Sequence, residues 1–588
     1  MAVNTMALIG VWRWLQSRVA GIRSSLILTK SSNSHRGTRT TFESVVLATL
    51  VFALAAIAKY PNRAIFTRAR PDLKGKTAPG FPVLGNMPQL VWNRERALHA
   101  LNNTFKIFGD NWMLSMPIYG TIILCNSPAQ MEHIFRRPDT YIKGFIFQDQ
   151  LSDILGEGIF VSDGERWKLH RKTASNIFTT KLYRQLVQGA FKETGLDLCR
   201  ALNDQCAVYN QPQLKNTQDV HAADLQALFL KLTLDAFGKL TFGLNFESLK
   251  LGEGRPHEFG DSFDYLTSVA DERVANPAWY WTDFLIPGKK KKQRQAIGVL
   301  DKYAAMAVKA RREESEDEKE KRPRDLLDHF INHTSESGSK LTDVELRDVF
   351  VNFMIAGRDT TAQALSWQFL ALMKSPRVMN NLRKEIRIVL GESSVDTDGY
   401  DTLPGISYEI LNQELPYLRA VFHETLRLWP PVPKNVKIAT EPDVLPGGIR
   451  VYKGDIVASS TWCLGRNKSV WGEDAEEFVP ERWLVIPEDG DELNGFASAA
   501  RTAAGVHRKS PFGKFRAESQ FKFTSFNAGP RLCLGQTFAT LEAMMTTCLL
   551  LRNFDFQLKP GQPPVEPKNS VTLPMQNPLL TIVTRRGQ

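Results

Sequence analysis

Cysteine is scarce in this chain and forms no pattern. Six cysteines (Cys125, Cys199, Cys206, Cys463, Cys533 and Cys548) are spread over 588 residues without a Cys-x-x-Cys pair. That spacing excludes a zinc ribbon and a disulfide framework, and it fits reduced thiols facing the cytosol. A third glycine is missing after Gly252-Glu253-Gly254, and no other stretch supplies a dinucleotide-binding fingerprint. Acidic residues are missing from the first 41 positions. Residues 1–76 hold twelve Lys/Arg against Glu43 and Asp72, which accounts for +10 of the net +11. The pI of about 9.2 therefore belongs to one end of the chain, beside an apolar run. It points to a membrane surface and not to nucleic acid.

What is present begins with that end. Residues 1–41 form a basic leader with Trp12, Trp14, Leu15, Val19 and Ile22, a composition that a mitochondrial transit peptide shares. Val45 to Ala58 is uncharged and mostly apolar, and extending it to 42–60 gives a length close to the roughly 20 residues of a single membrane span. Lys59, Arg63, Arg68, Arg70, Lys74 and Lys76 follow as a basic collar suited to an anionic cytoplasmic leaflet. Residues 61–86 end in Ala78-Pro79-Gly80-Phe81-Pro82, read as a stiff hinge, with the domain boundary near residue 77.

Beyond the hinge, Trp112–Met116 and Thr121–Cys125 read as strands, and Tyr141–Phe160 as an apolar loop. Trp167 and Arg171 are four apart, on one helical face. Residues 180–310 read as long helices, with Lys289–Lys292 as a solvated face. Leu341 to Lys374 is the longest helical pattern, broken only by Gly357 in Ala356-Gly357-Arg358-Asp359-Thr360-Thr361. A mid-helix glycine costs about 1 kcal/mol relative to alanine, so something close to the backbone is expected there. Glu424 and Arg427 pair three apart on a helix that Pro430-Pro431-Val432-Pro433 stops, and two strands follow around Gly447-Gly448. Leu484–Ser525 is a long polar stretch, read either as a disordered insertion or as a basic docking surface for an acidic redox partner.

The pattern closes on Phe526-Asn527-Ala528-Gly529-Pro530-Arg531-Leu532-Cys533-Leu534-Gly535. Cys533 ends a Gly/Pro-shaped loop at the start of a helix, where free N–H groups and the partial positive charge favour a thiolate. Gly529 and Gly535 let the backbone approach a flat object, and Arg531 sets a cation beside it.

This loop resembles, position for position, the haem-ligand loop of the cytochrome P450 family (Phe-x-x-Gly-x-Arg-x-Cys-x-Gly). The resemblance extends over roughly residues 77–585. Ala356–Thr361 matches the family's oxygen-binding motif, Glu424-x-x-Arg427 with Arg482 its structural triad, and Trp167-x-x-x-Arg171 its propionate contact. What it implies is a mainly α fold around haem b, with small β-sheets and an N-terminal membrane anchor. Cys533 would be the axial thiolate, which favours O–O cleavage. Phe526, Arg531, Trp167 and Arg171 would hold the cofactor, Gly357 would open a groove for O2, and Asp359 and Thr360 would relay protons. Lys437 stands where the family carries an arginine, so it keeps the charge and loses the bidentate fork. The loop at 141–160 would roof the substrate pocket.

Having no flavin or nicotinamide motif, the chain would draw electrons from an NADPH-dependent flavoprotein reductase. Ala-Gly-Arg-Asp-Thr-Thr, Phe242–Leu249 and Pro431–Asn435 are similar to the fungal alkane and fatty-acid hydroxylases and to plant fatty-acid ω-hydroxylases. That implies terminal or near-terminal hydroxylation of a long-chain lipid, for assimilation or for hydroxy-fatty-acid products such as glycolipids. The location implied is the endoplasmic reticulum membrane, with the catalytic body cytosolic. A monooxygenase of sterols, polycyclic xenobiotics or other secondary metabolites is the competing reading. A haem sensor, a scaffold and a peroxide-rearranging enzyme are further alternatives, the last disfavoured by Asp359-Thr360.

Overall fold

The computed structural model describes residues 36–209, 222–251, 255–276, 279–322, 325–332, 340–485, 500–502, 505–507 and 509–586. Its architecture is mainly helical, with small sheets at the margins. At the centre runs the 32-residue helix Asp343–Lys374, opened by a capping box in which the Thr342 hydroxyl and the Glu345 carboxylate satisfy each other's backbone N–H groups. Its length is about 48 Å at the α-helical rise. Apolar residues occur on every side of it, so it is buried nearly all round instead of carrying one wet face. Against it pack Leu225–Phe242 and Lys289–Glu313, with the cysteine-loop helix Gln536–Asn553 and Pro416–Leu428 on other sides.

The strands expected at Trp112–Met116 and Thr121–Cys125 form as Asn111–Met116 and Gly120–Cys125, pairing antiparallel through the register Trp112↔Leu124. Together with Ile456–Ser459, Asn435–Ala439 and Tyr141–Ile142 they make a five-stranded sheet in that spatial order. A hairpin joins Asp443–Leu445 to Ile449–Val451, with Gly447 and Gly448 both at positive φ, as that tight turn requires.

Several expectations are corrected. Tyr141–Phe160 is not a loop: Gly144–Leu155 is a helix whose Leu151, Ile154 and Leu155 are buried at helical spacing. Its start is held by the Asp163 carboxylate, which accepts the N–H groups of Lys143 and Gly144 at 3.1 and 2.9 Å. Residues 61–86 are not a hinge hanging outside the body. The Ala64 N–H donates to Ser115 Oγ, buried Arg70 pairs with Asp72 and Asp455, and Leu73 packs into the core. The folded body therefore begins near Tyr60, not near residue 77. In the polar stretch 484–525, residues 486–499 lie outside the described residues. Its later part is built in: Lys514–Phe515 pairs with Leu484–Val485, Phe512 packs on Tyr417, and buried Ser510 donates to Glu385 at 2.5 Å.

At the amino-terminal end, Arg36–Lys59 is one 24-residue helix. Val45, Leu47, Val51, Phe52 and Leu54 on it are exposed. Among the described residues no helix is long and apolar enough to cross a membrane. The side chains of residues 36–43 and all of the leader to residue 35 lie outside the described residues.

Candidate active site

The cysteine loop folds back on itself. The Cys533 N–H donates to the Phe526 carbonyl at 2.8 Å, and Asn527 and Gly529 both take positive φ to make the turn. A side chain at Gly529 would strike the Phe135 backbone, so glycine is needed there for close approach as well as for conformation. Cys533 is exposed, whereas Cys125, Cys199, Cys463 and Cys548 are buried. Although its side chain is open to a ligand, it sits deep within surrounding protein. Burial raises its thiol pKa, and the Gly535 N–H and the nearby Arg171 charge offset this only in part. Burial thus opposes the preference for a thiolate that the helix start provides. Binding of a metal by this thiol would release its proton.

Beside the loop lies a cluster of cations. Arg171, on the helix Gly164–Ser175, donates to the Leu532 carbonyl. Arg531 pairs with Asp163 at 2.6 Å and lies 4.3 Å over the ring of Trp167, one turn before Arg171. Lys437 comes from the sheet strand Asn435–Ala439, and Lys143 immediately precedes the helix Gly144–Leu155. Burial depresses all four: Lys437 is lowered to about 7 and Lys143 well below the ordinary lysine value, while Arg171 and Arg531 are also lowered. Lys143, Lys437 and Arg531 further disfavour one another's charge, with Asp163 as the opposing carboxylate. Buried Arg531 Nε has no hydrogen-bond partner among the described residues.

More positive charge than carboxylate, including an unpaired guanidinium N–H, is what a ligand carrying two carboxylates would complete. Among the described residues no three His, Cys, Asp or Glu side chains converge as a metal site. One accessible sulfur beside a dicarboxylate-sized cation cluster fits haem, whose porphyrin supplies the remaining metal ligands.

The oxygen-motif residues sit on the central helix. The Thr360 hydroxyl donates to the Ala356 carbonyl at 2.6 Å, one turn back, a contact that loosens the helix locally. Asp359 is buried and raised to about 6 by desolvation; Arg358 opposes that rise, and Asp264 and Asp271 add to it. A carboxyl held near 6 exchanges its proton at neutral pH. Gly357 faces elsewhere than expected. A Cβ there would strike the ring of Phe237 on the neighbouring helix Leu225–Phe242, so helix packing is the reason for glycine at this position. Nearby, an apolar cavity is lined by Leu151 and Leu155 of Gly144–Leu155, Phe263 and Leu266 of Glu258–Ala275, Ile355 of the central helix, and Val571.

Glu424, Arg427 and Arg482 converge as a structural node behind this site. Arg427 makes a two-pronged pair with Glu424, 2.7 Å on each prong, with both side chains fully buried. It also donates to the Gly465, Ala475 and Glu477 carbonyls. Arg482 Nε and Trp483 Nε1 each donate to Glu424 at 2.9 Å.

Three further contributors went unread in the sequence. Lys143 and Asp163 belong to the cation cluster, and their link spans 20 residues of chain that only folding closes. The one local signal was Asp163-Gly164 ahead of a helical pattern. Glu385 is the third: fully buried and raised to about 7 by desolvation, it accepts the Tyr417 and Leu418 N–H groups at the start of the Pro416–Leu428 helix.

A helical body around one accessible cysteine among the described residues, a buried carboxyl beside a half-buried hydroxyl, and a cation cluster fit a haem-thiolate protein. The cytochrome P450 family model matches residues 76–582, and this chain belongs to that family. A cytochrome P450 monooxygenase, cyp1 of Mycosarcoma maydis, is 35% identical over 90% of this chain and 78% of its own length. Cytochrome P450 86B1 of Arabidopsis thaliana is 32% identical over 87% of this chain and 86% of its own. The alkane hydroxylase MAH1 of the same plant is 30% identical over 92% and 98%. The chain is accordingly a haem-dependent monooxygenase.

Proposed function

We propose that this monooxygenase hydroxylates long-chain fatty acids or alkanes at or near the chain end, for lipid assimilation or for hydroxy-fatty-acid products such as glycolipids. The observation that carries the reading is the cavity. Its lining is aliphatic and aromatic apart from Thr267, and it reaches Ile355, one residue before the carbonyl that holds the Thr360 hydroxyl. The cavity is small, about 30 Å³, so a hydrocarbon chain would have to extend beyond it; the lining supplies apolar wall, worth roughly 25 cal/mol per Å² removed from water. Similarity to an alkane hydroxylase supports the same substrate class.

When bound, the haem supplies O2 activation, and a thiolate ligand favours O–O cleavage. The chain's residues do the rest. Cys533 would ligate the iron, while Arg171, Arg531, Lys437 and Lys143 would hold the propionates, with Trp167 beneath Arg531. Phe526 shapes the loop through its carbonyl. Asp359 takes up a proton, and Thr360, whose hydroxyl donates to the Ala356 carbonyl at rest, relays it by giving up its own proton as it gains another. The apolar cavity excludes water from the reacting chain. Electrons come from a separate NADPH-dependent flavoprotein reductase.

We further propose attachment to the endoplasmic reticulum membrane with the catalytic body on the cytosolic face. Support comes from the exposed apolar residues of Arg36–Lys59 and from a second patch, Tyr280, Phe284, Leu285 and Ile286, beside Lys290, Lys291 and Lys292. Lys290 lies 5.9 Å from the Tyr280 ring and 5.5 Å from that of Phe284, its charge at the edge of the apolar surface.

Two experiments test these readings. With reductase and NADPH, palmitate or a long alkane is expected to be hydroxylated and a sterol left intact; sterol turnover with no fatty-acid product would reject the substrate class. The full chain is expected to sediment with vesicles containing anionic lipid, and recovery in the supernatant would reject membrane attachment.

A further inference from the structure

Arg358 occupies the variable position of the oxygen motif, between Gly357 and Asp359. Consecutive helix residues point about 100° apart, so Arg358 and Asp359 have no default contact. Here the long arginine side chain bends to make one. Its Nη1 donates to Asp359 Oδ1 at 2.9 Å and, from the same nitrogen, to Asp264 Oδ1 at 2.6 Å. The guanidinium is buried and lies 5.4 Å over the Phe263 ring, with Nε unpaired among the described residues. Asp264 is different: its side chain is 53% exposed, against 5% for Asp359. The line Asp264–Arg358–Asp359 therefore runs from solvent to the buried carboxyl.

We propose that Asp264, acting through Arg358, sets the protonation of Asp359, so that both are positioning residues for proton delivery. The proposal rests on Asp359 serving as the site's proton donor. Arginine does not give up its own proton, so Arg358 acts as a fixed charge and not as a carrier. The groups that face Asp359 are Arg358 on its own helix, and Asp264 and Asp271 on Glu258–Ala275. Every share of Arg358 that Asp264 takes leaves the Asp359 anion less compensated, and Asp264's own negative charge acts in the same direction. Asp264 also follows Phe263, and its helix contributes Leu266, Thr267 and Ala270 to the cavity wall. One helix thus touches both the substrate space and the counter-charge of the proton donor.

The test is an infrared titration of the full haem-loaded chain. The carboxylic-acid band of Asp359 is assigned by its loss in Asp359→Asn, and no turnover is required. In Asp264→Asn the midpoint is expected to fall by about one pH unit, a tenfold weaker proton affinity. Asp264→Glu should restore the parent midpoint, and Arg358→Gln should raise it. An unmoved or raised midpoint in Asp264→Asn overturns the proposal. Because Asp264 is half exposed, that variant should fold whether or not Arg358→Gln does, and the Asn/Glu pair alone decides. The ratio of product to NADPH against pH separates the two layers. If the band moves while coupling stays fixed, control by Asp264 stands and the role of Asp359 as donor fails.

Discussion

Cys533→Ala is expected to reduce turnover to the background of free haem and reductase while leaving the fold intact. The two effects separate because the loop is held by its backbone. The Cys533 N–H bond to Phe526, the Gly529 turn against Phe135 and the Arg171 bond to the Leu532 carbonyl all survive the substitution. Among the described residues the thiol itself receives the Gly535 N–H and no other. The stability change should therefore stay within about 1 kcal/mol. Loss of the sulfur, by contrast, would remove the proposed iron ligand and leave the cation cluster alone to retain the cofactor. Haem content, turnover and a denaturation midpoint measured on one preparation check this. Full turnover with alanine at 533 would place the iron ligand elsewhere.

Arg427→Ala should do the opposite, removing the fold and with it the site. The substitution strips both prongs from buried Glu424 and leaves the Gly465, Ala475 and Glu477 carbonyls without their shared donor. Arg482 and Trp483 still donate to Glu424, but they do not replace the lost charge next to it. Breaking a buried pair by removing one partner costs about 3–5 kcal/mol, a large part of the 5–15 kcal/mol typical of a whole fold. The expected result is aggregated or haem-free protein. Arg427→Lys should rescue little, since a point charge cannot reach two carboxylate oxygens and three carbonyls at once. A denaturation midpoint close to that of the parent would show that the node is dispensable.

Much of this site was legible from local sequence because its parts are short motifs on regular elements. The ligand loop, the Asp359-Thr360 pair and the Glu424/Arg427 pair each declare themselves within a few residues. What was misread depends on contacts between distant segments. The helical pattern of Leu151, Ile154 and Leu155 was hidden by its apolar surroundings, and Asp163, which starts that helix, lies outside it. Gly357 signalled a close approach, and one exists, but the neighbour is Phe237, 120 residues earlier. Pro79 to Pro82 looked like a hinge because prolines stiffen linkers; the backbone around them instead docks on Asn111–Met116 and Arg70 on Asp455. The balance of effects on the Cys533 thiol has a similar origin. A helix start is visible in sequence, whereas the burial that opposes it is not.

The central claim is that this chain splits O2 and places one atom in a long hydrocarbon chain. The most direct measurement supplies isotopically heavy O2 to the full chain, its reductase, NADPH and palmitate, and then weighs the product. A hydroxypalmitate carrying a single heavy oxygen at or next to the chain end is the predicted result. A product with oxygen drawn from water, or no oxygenated palmitate while NADPH is consumed and a sterol is oxidised, would contradict it.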